Sequence, residues 1–384
     1  MSKIGAGVIG TGFIGPAHIE ALRRLGMVDV LAIADIDEQT AQAKAQELGI
    51  DTAYGDYREL LENNDVEIVH VCSPNYLHHP MTMAALDAGK HVICEKPLAV
   101  TINEAEELVQ SASAKKLINV VHFNIRYYPL MRHVKNMIEQ GELGDVFAVQ
   151  GSYLQDWLFY PTDYNWRLEP DQSGDSRAIA DIGSHWMDLV EYITGLRIAR
   201  VNADFATFHP IRKKPLKPVE TYAGKVLQPE DYADVPINTE DYASVLLRFN
   251  NDARGVLTVN QVAAGRKNRL SFEIQGSKCA VAWDSELPNQ LWIGRRDAAN
   301  AMLLRDPSLV SDGSRDLISF PGGHNEGFPD TSKQMFKEVY GAVTGNTQPS
   351  PPAYPTFQDG LRELVLCDSI LDSSKKEAWV DVIT

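Results

Sequence analysis

Residues 3–26 read KIGAGVIGTGFIGPAHIEALRRLG. The opening run, KIGAGVI, has the apolar character of a strand, and the segment from Pro16 onward carries apolar residues at helical spacing and closes on Gly26. Between them stands GTGFIG, Gly10 to Gly15, in the pattern G-x-G-x-x-G. Between a strand and a helix the three glycines have separate uses. Gly10 permits a tight turn, Gly12 lets the backbone approach a pyrophosphate, and Gly15 lets the helix lie close on the strand. Phe13 and Ile14 complete the loop, and the free N–H groups of the helix start face the anion. Pro16 lies just inside the helix, where its missing N–H costs little. An acidic residue, Asp35, ends the next apolar strand, VDVLAIAD, at 35 − 15 = 20 positions beyond the last glycine. Its carboxylate can accept from a ribose 2′-hydroxyl and repels a 2′-phosphate, and Ile36 and Asp37 supply no cation to reverse that preference. The expected cofactor is therefore NAD rather than NADP. A helix N-cap is the competing reading of Asp35.

The same alternation continues outward. The helix DEQTAQAKAQELG closes on Gly49, and the strand VEIVHVC, the helix MTMAALDAG, the strand KHVICE and a helix after Thr101 follow. Thr101 and Glu104 have the spacing of a capping box. Continuous apolar strands separated by amphipathic helices predict a parallel sheet covered on both faces, an α/β Rossmann domain over residues 1–123. After a helix near residues 127–140 the pattern changes to strand runs such as DVFAVQGSYLQ, YASVLLRF, ARGVLTVNQV, RLSFEIQG and CAVAWD. These predict an α+β domain over residues 124–384 with a large, mostly antiparallel open sheet, serving substrate binding and oligomerisation. Helices at 184–194, 327–344 and 356–372 are expected beneath one face. Several strands carry apolar residues at both parities, which favours a partner subunit over solvent on the other face, and hence a homodimer or homotetramer through the open sheet. Residues 210–238 are Pro-rich and locally basic, and are read as a solvated excursion rather than an arm reaching a neighbour.

Composition narrows the class. At 384 residues, two domains are expected. Lys plus Arg number 36 against 52 Asp plus Glu, a net charge of −16, which disfavours grip on nucleic acid or anionic lipid. Cys72, Cys94, Cys279 and Cys367 show no paired spacing, so neither zinc nor a disulfide framework is expected, and no metal is assigned. No secretion signal or membrane span is read, which makes a soluble cytoplasmic protein the expectation.

Two further motifs carry chemistry. In VICEKPLAV, residues 92–100, Glu95, Lys96 and Pro97 fall at the carboxyl end of a sheet strand, where ligands of open α/β sheets bind. A surface lysine at a strand end is the plainer reading, but Pro97 fixes φ and removes a donor, marking a shaped turn. In AIADIGSHWMDLVEYITG, Asp181 and His185 are four apart at a helix start and can project from one face. An N-capping aspartate with a packed histidine is the alternative.

The motifs GTGFIG, SPNYLH at 73–78, EKP at 95–97 and DIGSH at 181–185 resemble the Gfo/Idh/MocA family of NAD(P)-dependent sugar and polyol oxidoreductases over essentially the full length. The resemblance implies catalytic roles for Lys96, Asp181 and His185, and a cis peptide before Pro97. The segments SYLQDWLFYPTDYNWRL, AGRKNRL and FPGGHNEGF are also similar to levoglucosan-dehydrogenase-type members, a less specific match. The activity implied is oxidation of a ring hydroxyl of a sugar or cyclic polyol. His185 would act as base, Asp181 would orient it, and Lys96 would favour the developing alkoxide. Ser73, Pro74 and Asn75 join Glu95 and Lys96 as expected cofactor contacts, with a simple turn as the alternative for the first three. His78 is counted with them, although capping or packing is the plainer role for it and for His79. Arg126, Tyr153, Asp156, Trp157, Asn165, Trp166 and Arg167 offer the hydrogen bonds and aromatic faces a polyhydroxylated ring needs. His324 and Asn325 in a Gly-rich loop join them, and Asp188 either supports the site or meets the helix dipole. Two rival functions are a redox-assisted NAD-dependent glycosidase and a non-catalytic NAD/sugar sensor.

Overall fold

A computed structural model describes residues 3–217, 229–345 and 352–383. The chain forms two compact units, residues 1–127 with 328–364, and residues 128–327 with 365–384. In the first, β1 (Ile4–Ile9), α1 (Ile14–Arg23), β2 (Val28–Ala34), α2 (Glu38–Leu48), β3 (Thr52–Tyr54) and α3 (Tyr57–Glu62) are followed by β4 (Ile68–Val71), α4 (His78–Asp87), β5 (His91–Cys94), α5 (Ile102–Lys115) and β6 (Asn119–Val121). The six strands are all parallel in the order β3-β2-β1-β4-β5-β6. Strand order reverses between β1 and β4, which opens a crevice beyond their carboxyl ends. The sheet is apolar on both faces: β1 and β4 are buried along their whole length. Asp37 rather than Asp35 caps α2, accepting from Thr40 N–H, and Thr101 with Glu104 forms the expected capping box on α5.

The second unit contains α6 (Pro129–Glu139), β7 (Val146–Leu154), α7 (Pro170–Ser173), α8 (Ser184–Thr194), β8 (Ile198–Ala206), β9 (Ile211–Pro215), β10 (Tyr232–Pro236), β11 (Tyr242–Phe249) and β12 (Arg254–Asn260). It continues with β13 (Arg269–Gly276), β14 (Ala280–Asp284), β15 (Gln290–Gly294), β16 (Ala301–Leu304) and α9 (Asp312–Arg315). The chain ends with α10 (Phe328–Val343), α11 (Phe357–Lys376) and β17 (Val380–Asp381). Nine strands form one sheet in the order β16-β15-β14-β13-β7-β12-β11-β8-β17. Every neighbouring pair is antiparallel except β7 with β12.

Burial alternates along β11, β12, β13 and β14. Ala243, Val245, Leu247 and Phe249 of β11 and Gly255, Leu257 and Val259 of β12 point to the helix-covered face, where α8 lies against β7. The opposite face mixes polar groups with Leu246, Val256, Met302 and Leu304, which are 41–55% exposed. Apolar character at both parities is therefore confined to a few positions.

Two expectations are corrected. The helix foreseen at 327–344, here α10, packs on α1 within the first unit instead of beneath the large sheet. The segment 210–238 is not uniformly solvated: β9 pairs with β10, and Arg212 is fully buried on Asp241. Residues 218–228 of that segment lie outside the described residues.

Candidate functional site

The glycine-rich loop is built by close backbone approach. Gly10 has φ +90°, and a Cβ there would stand 2.7 Å from the carbonyl oxygen of Cys72, so only glycine lets the loop pass the end of β4. That approach brings the Ser73 backbone beside the loop, and Pro74 then leads into a 3₁₀ turn over Asn75–Leu77. A Cβ on Gly12 would meet only open space, Phe13 is 66% exposed, and no side chain caps the start of α1 at Ile14. Asp35 accepts from Thr11 N–H at 2.8 Å, from the Thr11 hydroxyl, and from Ile36 N–H at 2.7 Å. It ties the loop to β2 while keeping acceptor capacity at a partly exposed carboxylate. An open Gly12, an uncapped helix start and an acidic strand end together fit a dinucleotide.

At the end of β5, Glu95 is buried and Lys96 partly exposed, and the Lys96–Pro97 peptide is cis. Lys96 N–H donates to Glu95 Oε2 at 3.3 Å. Glu95 Oε1 meets His18 Nε2 at 3.0 Å and His122 Nδ1 at 2.6 Å. An ionised carboxylate only accepts, so with neutral rings the protons are assigned in sequence. His18 donates from Nε2 and accepts at Nδ1 from His70 Nδ1 at 2.9 Å, and His70 Nε2 accepts from the Tyr340 hydroxyl at 2.9 Å. His122 donates from Nδ1 and accepts at Nε2 from the Ser332 hydroxyl at 3.1 Å. Burial, aided by His122, pulls the His18 pKa down to about 4 and burial holds His70 well below its ordinary value. Burial would raise Glu95, but His122 and His18 outweigh it and keep the carboxyl well below the usual range. His18, Glu95 and His122 also have metal-ligand atoms within 4.8 Å of one another. Each ring nitrogen there already has a protein hydrogen-bond partner, which accounts for the cluster without an ion. His78 sets its two nitrogens 2.9 Å from Ser73 O and 2.6 Å from Pro97 O; burial lowers its pKa, and the neutral ring donates to one of these two carbonyls. Arg126 is buried and pairs with Asp359 at 2.9 Å.

In the second unit, Asp181 does not cap a helix. It lies inside a π-helical turn, Ile179–Gly183, that runs into α8 and ends just before His185. Such turns recur at functional sites because the wider i→i+5 turn redirects side chains. Glu240 fixes its entry, accepting from Ser176 Oγ, Arg177 N and Ile179 N at 2.9 Å each. Asp181 Oδ2 accepts from Gln261 Nε2 at 2.8 Å, and Oδ1 lies 3.4 Å from Arg167 Nε. His185 is 8% exposed with its ring 6.2 Å from that of Tyr153, whose hydroxyl donates to Asn268 Oδ1 at 2.8 Å. Next to it, Trp186 donates to Ser271 O at 3.0 Å across β7, in a gap that a Cβ on Gly151 would close, at 2.4 Å from the indole nitrogen.

Around this group the aromatic segment is partly self-engaged. Asn165 caps the turn Trp166–Leu168, and the Arg167 guanidinium stacks 4.4 Å from the Trp166 ring centroid. Asp156 accepts from Gly265 N–H and Lys267, and Trp157 donates to Gln155. His324 is exposed on a loop whose backbone is held by Arg305, itself paired with buried Glu326. Asp188 is 3% exposed on α8. Thus Tyr153 lies beside His185 and Arg167 beside Asp181, while Asp156 bonds Gly265 and Lys267, Trp157 bonds Gln155, and Arg126 pairs with Asp359 of α11. Sequence reading missed Gln261, His18, His70 and His122. The histidines interrupt apolar strands or face inward from a helix, a signal of buried polar function that was legible.

Residues 4–123 match the Gfo/Idh/MocA oxidoreductase family with an NAD-binding Rossmann fold, and residues 131–282 match the Gfo/Idh/MocA C-terminal domain. A levoglucosan dehydrogenase of Pseudarthrobacter phenanthrenivorans is 30% identical over 397 residues, covering 100% of this chain and 99% of the relative. A myo-inositol 2-dehydrogenase of Thermotoga maritima is 31% identical over 198 residues, 52% of this chain and 57% of the relative. A levoglucosan dehydrogenase solved in complex with NADH and levoglucosan superposes with a TM-score of 0.88 at 28% identity, covering 100% of both chains.

Proposed function

The chain belongs to the Gfo/Idh/MocA family of NAD-binding oxidoreductases, and from that premise we propose that it oxidises a ring hydroxyl of a sugar or cyclic polyol. The observation that carries the reading is a carboxylate, Asp181, hydrogen-bonded by Gln261 and paired with Arg167, four residues before a buried histidine. Full-length likeness to a levoglucosan dehydrogenase supports a cyclic sugar as substrate. His185, of a type with a reference pKa of about 6.5, takes the hydroxyl proton near neutral pH. Asp181 steadies the imidazolium that results, and the Lys96 ammonium favours alkoxide character at the reacting oxygen. Bound NAD supplies the acceptor for the hydride that leaves the carbinol carbon, giving a ketone, NADH and a proton. Tyr153, Asn165, Trp166 and Arg167 are assigned to holding the sugar ring, with His324 at the margin.

Incubation with NAD and a panel of anhydrosugars, aldoses and cyclic polyols is expected to build up NADH and the matching ketone with at least one of them. Consumption of a glycoside without net NADH would replace this reading with the redox-assisted glycosidase, and NAD binding without turnover of any sugar would leave the sensor.

We further propose that a second copy of the chain covers the open face of the large sheet. That face carries Leu246, Val256, Met302 and Leu304 among groups able to hydrogen-bond across an interface. Light scattering should give a dimer or tetramer, and Val256→Glu should lower the mass; a monomeric wild-type protein would contradict this.

A further inference from the structure

We propose that Gln261 is a positioning residue that fixes the carboxylate of Asp181, and that it does so by relaying the orientation of a buried arginine. The inference rests on the catalytic reading of Asp181 and His185 given above. Gln261 follows β12 and is fully buried. Its backbone is pinned at both ends, N–H donating to Asp241 O at 3.0 Å and C=O accepting from Leu158 N–H at 3.2 Å.

The direction of its amide is decided by its neighbours. The Arg177 guanidinium, 3.3 Å away through its NH1 group, has donors and no acceptor, so it must face Oε1. Nε2 is thereby turned toward Asp181 Oδ2, 2.8 Å away, and must donate. A carboxylate that receives this bond is favoured in its ionised form. Arg177 cannot turn. It is 1% exposed, donates to Thr239 Oγ1 at 3.1 Å and to Thr239 O at 3.3 Å, and pairs with Asp241 at 2.5 Å. Asp241 also holds Arg212 at 2.8 Å. Within this network the two arginines, Asp241 and Glu240 sum to zero charge. The amide is the neutral joint between that balanced network and the carboxylate of the π-helical turn, where Arg167 is the charged group on the other oxygen. A buried pair missing a partner is costly, which makes each orientation in the chain depend on the next.

The test compares Gln261→Glu and Gln261→Met with Asp181→Asn, using kcat, KM for NAD, the pH dependence of kcat/KM and the thermal midpoint. Gln261→Glu keeps an oxygen for Arg177 and puts a second negative charge against Asp181. It should move the acidic limb of kcat/KM upward by about one pH unit, because a like charge raises the pKa of the neighbouring base system. Gln261→Met keeps volume and removes both bonds, and should lower kcat by up to about 100-fold from misplacement while leaving KM for NAD near wild type. If Asp181→Asn is inactive yet Gln261→Glu has a wild-type kcat and pH profile, the positioning role is overturned and the catalytic reading stands. Activity losses that merely follow the loss of folded protein overturn it in the same way. A fully active Asp181→Asn overturns both.

Discussion

Asp35 holds the loop and is proposed to meet the ribose as well. Its carboxylate accepts from both polar groups of Thr11, so the side chain proposed to select the nucleotide also holds the glycine turn. Replacing it with serine removes the charge that repels a 2′-phosphate and one charged acceptor worth about 1.5–3 kcal/mol. The expected outcome is a rise in KM for NAD of about 10- to 100-fold with a relative gain for NADP, read from parallel cofactor titrations. An unchanged NAD to NADP ratio would remove Asp35 from cofactor selection. This residue was legible because its distance from the glycines is set by local chain geometry. Gln261 was not, since nothing in VNQVA distinguishes a glutamine beneath a π-helical turn from one at a solvated strand end; its meaning lies in Arg177, 261 − 177 = 84 residues earlier.

Among the elements, α1, β4, β5, β6 and α10 meet through the chain Tyr340–His70–His18–Glu95–His122–Ser332. Burial of His18 and His70 in it, which lowers both pKa values, has a stability consequence. His18 titrates near 4 when folded and about 6.5 when unfolded, so the unfolded chain takes up protons first as pH falls. Stability is complete above about pH 6.5 and is lost as pH drops toward 4, by an order of about 3 kcal/mol for this residue, and the lowered His70 acts in the same direction. Urea midpoints measured between pH 7.5 and 5 should fall steeply in the wild type and less steeply in His18→Gln. Equal slopes would show that the chain does not set the acid response. Most elements were foreseeable from apolar periodicity, helix caps and glycine stops, as with α2 ending on Gly49 in the left-handed region. The packing of α10 was not, because an amphipathic pattern says that a helix face is buried without saying against what. The short β3 and α3 were also missed: three and six residues are too few to establish a period.

For the whole molecule, the two sheet types were legible from the change in strand grammar after residue 123, and the match of separate family regions to residues 4–123 and 131–282 agrees with it. The return of residues 328–364 to the first unit is a long-range pairing that no local pattern encodes. Lys96, Asp181 and His185 are the residues proposed to carry catalysis, so the most direct test is NADH formation by wild type, Lys96→Ala and His185→Ala, with NAD affinity measured separately by binding. The account predicts that His185→Ala binds NAD as the wild type does, and that both variants, assayed at saturating NAD, lose turnover by about 100-fold or more on a sugar the wild type oxidises. Wild-type turnover in either variant would contradict it.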